Sequence, residues 1–178
     1  MTAYDQARLA AELAALPQPA ASSTAQGRKL QDLMEWLIAE LPSVAVTLKN
    51  KVNNAKSEEK DLWFTHEPWV SRLPFADVLV PVECKNEATK TSAAEMREFG
   101  AKIAASGGSD GLLVSREGLS GSSGKAAHDV VHMELHAGRR IVVITAADLV
   151  GLTTTDDLVA LVVARHTELR TEQTNVSI

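Results

Sequence analysis

The sequence predicts an α/β fold, a mixed β-sheet with helices on both faces, and three observations support it. The apolar runs GLLVS and IVVIT each follow a helical segment, which is typical of parallel strands covered on both sides. Three earlier strand-like segments follow one another directly, which favours an antiparallel meander. The chain of 178 residues is long enough for one domain with its own core.

Composition excludes several classes of protein. The apolar content of 45 % is that of a globular chain, and no apolar run is long enough to cross a membrane. The N-terminus lacks the basic start of a secretory signal. A single cysteine, Cys84, rules out an internal disulfide framework and favours a cytoplasmic protein. The net charge of −5 argues against an indiscriminate nucleic-acid coat protein but permits a local basic surface.

The first part of the chain is predicted to contain two helices. An Ala-rich stretch at 2–16 predicts a short helix, and the Pro, Ala and Ser residues at 17–27 predict a linker, so residues 1–26 are expected to form a peripheral arm. Apolar residues at helical spacing predict a second helix over 26–41, which Pro42 ends.

Strands and helices then follow in the order of a mixed sheet. Three strands are predicted at 43–50, 60–67 and 75–85, with a turn at 68–74. Ser92 and Glu95 form a capping-box pattern that begins the next helix, which Gly107 and Gly108 end. The remaining predicted elements are a strand at 110–116, a helix at 124–138, a strand within 139–152 and a helix at 154–170.

The last helix is predicted to carry a surface for a partner. Its face is lined by Leu158, Leu161, Val162 and His166. Residues 27–152 are taken as the core and 153–178 as a C-terminal helix and tail. Together with the arm, this helix is a candidate surface for a homodimer or for a partner protein.

The segment VECKN, residues 82–86, ends an apolar strand with an acid and a base. Side chains alternate along a strand, so Glu83 and Lys85 share one face, while Cys84 and Val82 point to the other. Charges at the end of a buried strand are costly unless they are paired or bind a metal. The segment therefore indicates a candidate site.

A magnesium site would need a second acid near Glu83, because Mg²⁺ is commonly held by one or two carboxylates with water and phosphate. A hairpin that turns near residues 70–73 places Asp61 opposite Glu83. Asp77 lies six residues before Glu83 on the same predicted strand, too far to share an ion. The predicted ligands are Asp61, Glu83 and the backbone carbonyl of Cys84. If the site hydrolyses a phosphodiester, Lys85 would orient the attacking water or stabilise the negative charge that develops on the phosphate.

Asp61 followed by Glu83-Cys84-Lys85 resembles the PD-(D/E)xK nuclease signature. The order of VPVECKN, a helix ending in Gly, the strand GLLVS and a late strand resembles the Mrr-like branch of restriction endonucleases over about 27–152. One departure is Lys60, where the signature has proline.

The resemblance implies a restriction-endonuclease-like fold that hydrolyses DNA phosphodiesters with Mg²⁺ or Mn²⁺. It makes Asp61, Glu83 and Lys85 the catalytic set. It also implies a further metal ligand on a helix, Glu35, with Glu40 as the alternative. Family members often dimerise, so a homodimer is expected, working in a restriction or phage-defence system. Predicted phosphate contacts are Lys90, Arg97, Arg116 and Lys125, and Lys102 is a further cation near the site.

Several alternatives stay open from the sequence. Glu83 and Lys85 would also suit a surface salt bridge, and Asp61 a solvated position. His128, His132 and His136 recur every four residues, and HDVVH resembles a zinc motif with Asp129 in place of the usual Glu. The loop GLSGSSGKA lacks the spacing of an ATP-binding phosphate loop. The alternative function is a catalytically inactive module that binds DNA or protein.

Overall fold

The computed structural model describes residues 1–20, 22–52, 58–121 and 126–175, with the side chains of these ranges except at 48–61 and 172–175. The elements in chain order are α1 (Gln6–Ala15), α2 (Ser23–Ala39), β1 (Val44–Val52), β2 (Glu58–His66), α3 (Pro68–Ser71), β3 (Leu79–Lys85), α4 (Ala93–Ala105), β4 (Asp110–Ser115), α5 (Ala127–His136), β5 (Arg140–Thr145), α6 (Ala146–Leu149) and α7 (Thr155–Asn175). No helix in these ranges combines the length and apolarity needed to cross a bilayer.

Five strands form one mixed sheet in the order β1-β2-β3-β4-β5. The first three strands pair antiparallel, and β3, β4 and β5 pair parallel. The predicted meander and the predicted parallel strands are both confirmed. In the predicted hairpin, Leu62 pairs with Val82 and Phe64 with Val80, which is the register expected from the sequence.

The two faces of the sheet carry separate apolar cores. Val82, Val114 and Val142 point to the first core, which α1, α2 and α7 cover. Leu113 and Ile141 point to the second core, which α4 and α5 cover together with one residue of α7. The prediction of helices on both faces is confirmed. Alternation along β3, β4 and β5 decides which side chains reach each core.

A glycine allows α4 to pack closely on β4. A Cβ atom on Gly111 would lie 2.5 Å from Cδ1 of Ile103 and 3.0 Å from Cζ of Phe99. Both neighbours are buried in the second core. The missing side chain at Gly111 therefore sets the distance between α4 and the sheet.

The N-terminal residues are not a peripheral arm, because their apolar side chains complete the first core. Tyr4, Leu9 and Leu16 are each at most 4 % exposed. The Tyr4 hydroxyl donates to the Leu37 carbonyl at 3.0 Å. The predicted linker is shorter than expected, since α2 begins at Ser23.

The carbonyl of Leu16 anchors the end of this segment beside β3 and β4. It accepts hydrogen bonds from the side chains of Gln26 at 2.6 Å, Asn86 at 3.2 Å and Arg116 at 3.3 Å. The segment after α1 is therefore tied to residues that directly follow the two strands.

The last helix also differs from its prediction, because its apolar stripe is buried within this chain. Leu158 and Val162 are at most 2 % exposed and lie in the first core, and His166 is 8 % exposed. Leu161, the remaining residue of the stripe, is half-buried against the same core. Most of the stripe therefore packs within this chain.

The predicted third strand begins later than expected. β3 starts at Leu79, and the Asp77 carboxylate before it accepts the backbone N–H groups of Ser109 and Asp110. Asp77 thus joins the amino end of β4, at the opposite end of the sheet from Lys85. Part of the predicted turn forms the short helix α3, on which Trp69 is exposed.

Candidate functional site

Glu83 and Lys85 lie at the carboxyl end of β3 and contact each other on one face of the sheet. Nζ of Lys85 is 3.3 Å from Oε1 of Glu83, with side chains 20 % and 23 % exposed respectively. Cys84 between them packs against the first core, where burial raises the pKa of its thiol. The predicted sharing of a face by the acid and the base is confirmed.

Helix α4 adds a second acid and a second amine. Nζ of Lys85 is 3.5 Å from Oε1 of Glu95, and Nζ of Lys102 is 3.2 Å from Oε2 of Glu83. Residues seven apart on a helix lie two turns apart on one face, so Glu95 and Lys102 both reach the sheet. We call Glu83, Lys85, Glu95 and Lys102 the carboxylate–amine cluster.

From the sequence, Lys102 was predicted to lie near the site, whereas Glu95 was predicted only to cap a helix. The capping box is confirmed: Oε2 of Glu95 accepts from the Ser92 backbone N–H and hydroxyl, each at 2.8 Å. The other carboxylate oxygen faces Lys85. The seven-residue spacing between Glu95 and Lys102 is the signal that would have revealed the second role.

The cluster shifts the pKa values of two of its members, Lys85 and Glu95. Burial by itself would lower the pKa of Lys85, but the Glu83 carboxylate, its hydrogen bond and Glu95 outweigh burial and raise that pKa. Burial would raise the pKa of Glu95, yet hydrogen bonds from Ser92 and the charge of Lys85 lower it. Lys85 is therefore an ammonium at neutral pH, suited to stabilising negative charge rather than to accepting a proton.

A hard divalent cation suits part of this site. Glu83 supplies carboxylate oxygens of the kind that Mg²⁺ prefers, and Cys84 supplies a backbone carbonyl in the same strand. Among the described residues no three His, Cys, Asp or Glu side chains converge as a metal cage. The backbone of Asp61 pairs with Lys49 and lies one step beyond the Leu62–Val82 pair, but its side chain lies outside the described part of the chain.

The structure does not bring Glu35 to the cluster. Glu35 lies on α2, whose apolar side chains pack on the first core, whereas Glu83 contacts α4 on the other face. Glu40 is exposed and forms the C-terminal cap of α2. A metal ligand from this helix stays a prediction.

The predicted phosphate contacts fall into three groups. Lys90 and Arg97 are exposed in the loop after β3 and on α4. Arg116 is already engaged, because it pairs with Glu117 at 2.9 Å and donates to the Leu16 carbonyl. Lys125 lies outside the described residues.

The histidine stripe belongs to α5. The His128 and His132 rings are 4.9 Å apart. Asp129, the acid of the zinc-like motif, accepts the backbone N–H of Ala126 and so caps the helix. This capping role accounts for an aspartate at that position without zinc chemistry.

Comparison with known proteins assigns no family. The chain matches no protein-family model, and a search of curated proteins finds no relative. The carboxylate–amine cluster and the sheet that carries it are therefore the basis for a functional assignment.

Proposed function

We propose that this chain is a nuclease that hydrolyses DNA phosphodiester bonds with Mg²⁺ or Mn²⁺. The proposal includes a restriction-endonuclease-like fold of the Mrr-like branch, with Glu83 and Lys85 as catalytic residues. The observation that carries it is the 3.3 Å contact between these two side chains at the end of a central strand. The order α2, three antiparallel strands, α4 and a parallel strand supports it.

In the proposed reaction, the residues of the site would bind the metal, stabilise charge or position a neighbour. Glu83, the Cys84 carbonyl and Asp61 would hold the metal, which would activate a water and polarise the phosphate when bound. The Lys85 ammonium would stabilise the negative charge that grows on the phosphate oxygens as the water attacks. Glu95 keeps Lys85 in place from α4, so we assign it a positioning role.

The proposal extends to partners of the chain. A homodimer or a partner protein of a restriction or phage-defence system would supply sequence specificity. Lys90 and Arg97 are exposed and near α4, where phosphates of the bound DNA would lie. The proposed location of this activity is the cytoplasm.

Cleavage of supercoiled plasmid in Mg²⁺ or Mn²⁺ tests the proposal. We expect nicked and linear products, with rates roughly 10²-fold or more lower for Glu83→Gln and for Lys85→Ala. Glu98→Ala is the matched control, since Glu98 is exposed on α4 outside the cluster. Cleavage by both site variants at the wild-type rate would overturn the assignment.

A catalytically inactive binding module is the second candidate, and one observation favours it. Each oxygen of the Glu83 carboxylate already has an ammonium partner, Lys85 on one side and Lys102 on the other. Titration calorimetry with Mn²⁺ separates the two candidates. Heat of binding that Glu83→Gln abolishes supports the nuclease, whereas duplex DNA binding with neither metal binding nor cleavage supports the module.

A further inference from the structure

A cleft of about 400 Å³ lies outside the carboxylate–amine cluster, on the same face of the sheet. It is bounded by α5, α7, the end of β5 and the loop after β4. Its floor is apolar, formed by Val131, Ile141, Val143 and Leu169. A volume of this size with an apolar floor and a few polar groups is typical of small-ligand sites.

One wall of the cleft carries an arginine whose two terminal nitrogens are each held by a carboxylate. Nη2 of Arg165 is 2.7 Å from Oδ1 of Asp148, and Nη1 is 2.8 Å from Oε2 of Glu168. The other oxygen of Asp148 accepts the backbone N–H and hydroxyl of Thr145, both at 2.8 Å. A guanidinium held in this way has a fixed plane, and such planes stack on aromatic rings.

Another wall carries two imidazoles. His128 and His132 line the cleft, with ring centroids 4.9 Å apart and planes at 59°. Histidine and arginine side chains are platforms on which proteins stack unpaired bases. The Glu168 carboxylate also lines the cleft, and carboxylate oxygens accept hydrogen bonds of the kind that exocyclic amines of bases donate.

The strand register places this cleft close to the carboxylate–amine cluster. Glu83 pairs with Leu113, which pairs with Val143 of the cleft floor, and Lys85 is related to Thr145 in the same way. Two strand spacings separate each pair, roughly 10 Å across the sheet. One or two nucleotides of an extended strand span such a distance.

A backbone connection also joins the two places. The Thr91 N–H donates to the Gly118 carbonyl and the Ser120 N–H to the Thr91 carbonyl, both at 2.9 Å. Thr91 directly precedes the Ser92 cap that holds Glu95, and Gly118 lines the cleft. The cleft loop and the start of α4 are thus held together.

We propose that the cleft binds a nucleobase, unstacked from the strand whose phosphate lies at Glu83 and Lys85. The inference rests on the proposed nuclease function. Its chemistry is stacking on Arg165 and the two imidazoles, with a hydrogen bond to the Glu168 carboxylate. Unpaired strands are the preferred ligand, because extracting a base from a duplex costs the energy of its pairing and stacking.

Binding of a fluorescently labelled single-stranded DNA oligonucleotide, measured by anisotropy without divalent metal, tests this inference. Arg165→Lys keeps the charge but removes the planar group, and His128→Ala removes an exposed ring. We expect each to raise the Kd at least about 5-fold, as when one base-stacking contact is lost. Arg170→Lys on the exposed side of α7 is the control and should leave the Kd unchanged. Melting temperatures of the variants check that folding is intact.

Two further ligands identify the source of the base. An abasic deoxyribose-phosphate oligomer of equal length should bind more weakly than the DNA strand and be insensitive to both substitutions. A free deoxynucleotide should compete with the labelled strand at high concentration. A nucleotide that binds through Arg165 while the strand does not would overturn the role in strand binding and identify free nucleotides as the ligand.

The absence of metal separates this test from the nuclease assay. Strand affinity that is unchanged in Arg165→Lys and His128→Ala overturns the base-binding cleft, even if the plasmid is cut. Base-dependent binding by a protein that cuts no plasmid overturns the catalytic proposal and leaves the cleft in place.

Discussion

At the scale of single residues, the most buried charge of the described chain serves the fold rather than chemistry. Asp110 is 0 % exposed and begins β4, at the far end of the sheet from Lys85. Its carboxylate accepts the backbone N–H groups of Ala76 at 2.7 Å and Asp77 at 3.0 Å, and it pairs with Arg140 at 2.6 Å. A buried charge is tolerated only with such partners.

Asp110→Ala should therefore destabilise the protein strongly. It leaves the Arg140 guanidinium and two N–H groups without their acceptor, so we expect the free energy of unfolding to fall by about 3 kcal/mol or more. Urea titration measures the loss. Asp156→Ala is the control, because its pair with Arg72 is exposed and should contribute less than about 1 kcal/mol. Equal losses in the two variants would contradict this interpretation.

The pairing of Glu83 with Lys85 could be predicted from the sequence, whereas the approach of Glu95 could not. Alternation along a strand fixes which side chains share a face, whatever packs on it. The contact with Glu95 depends on how closely α4 packs against the sheet, which nonlocal contacts decide.

At the scale of secondary-structure elements, two serine caps allow the effect of losing a cap on stability to be distinguished from its effect on cleavage. Ser92→Ala removes the hydroxyl that caps α4 and donates to Glu95, while Ser22→Ala removes the cap of α2. Each should cost about 1 kcal/mol in urea unfolding. If Glu95 positions Lys85, only Ser92→Ala should also slow plasmid cleavage. Equal cleavage by both variants would show that the position of Glu95 is irrelevant to the site.

The start of α7 predicts a pH dependence of stability at low pH. Hydrogen bonds from Thr153 and Thr154 lower the pKa of Asp157 from 3.8 to about 2. A carboxyl whose pKa is lower in the folded state stabilises the fold above its unfolded pKa, and this contribution disappears as pH falls through the folded value. Asp157→Asn should therefore flatten the stability profile between about pH 4 and pH 2, measured by urea titrations. A profile unchanged by Asp157→Asn would show that this carboxyl titrates alike in both states.

The hairpin register was predictable, but the beginning of β3 was not. A hairpin that turns near residues 70–73 predicts the Leu62–Val82 pairing that the structure shows. The residues before Leu79 also look like strand, yet Asp77 is held by the N–H groups of Ser109 and Asp110, more than 30 positions away. Local patterns carry no information on such a contact.

At the scale of the whole molecule, both ends of the chain close the first core. Leu9 of α1 and Leu16, which caps that helix, enter it at one end, and Leu158 and Val162 enter it from α7. The sequence predicted an Ala-rich first helix and an apolar face on the last helix, but not whether this chain or a partner covers them. An apolar stripe on a helix predicts that this face is buried. Which surface covers it depends on how all the elements pack together.

Substitution of a core residue in α1 tests this closure. Leu9→Ala should lower the free energy of unfolding by about 2–5 kcal/mol, because Leu9 is only 2 % exposed. Val150→Ala is the control and should change it by less than about 0.5 kcal/mol, since Val150 is 70 % exposed. A negligible effect of Leu9→Ala would instead indicate that α1 detaches without cost.

The absence of a side chain at Gly111 constrains the size of the residues at positions 99 and 103. Any side chain there must displace Ile103 or Phe99, and pushing α4 outward would carry Glu95 and Lys102 away from the strand that bears Glu83. A related protein with alanine at position 111 should therefore carry a smaller side chain at position 99 or 103. Without such a second substitution, the ion pairs of Glu95 with Lys85 and of Lys102 with Glu83 should be broken.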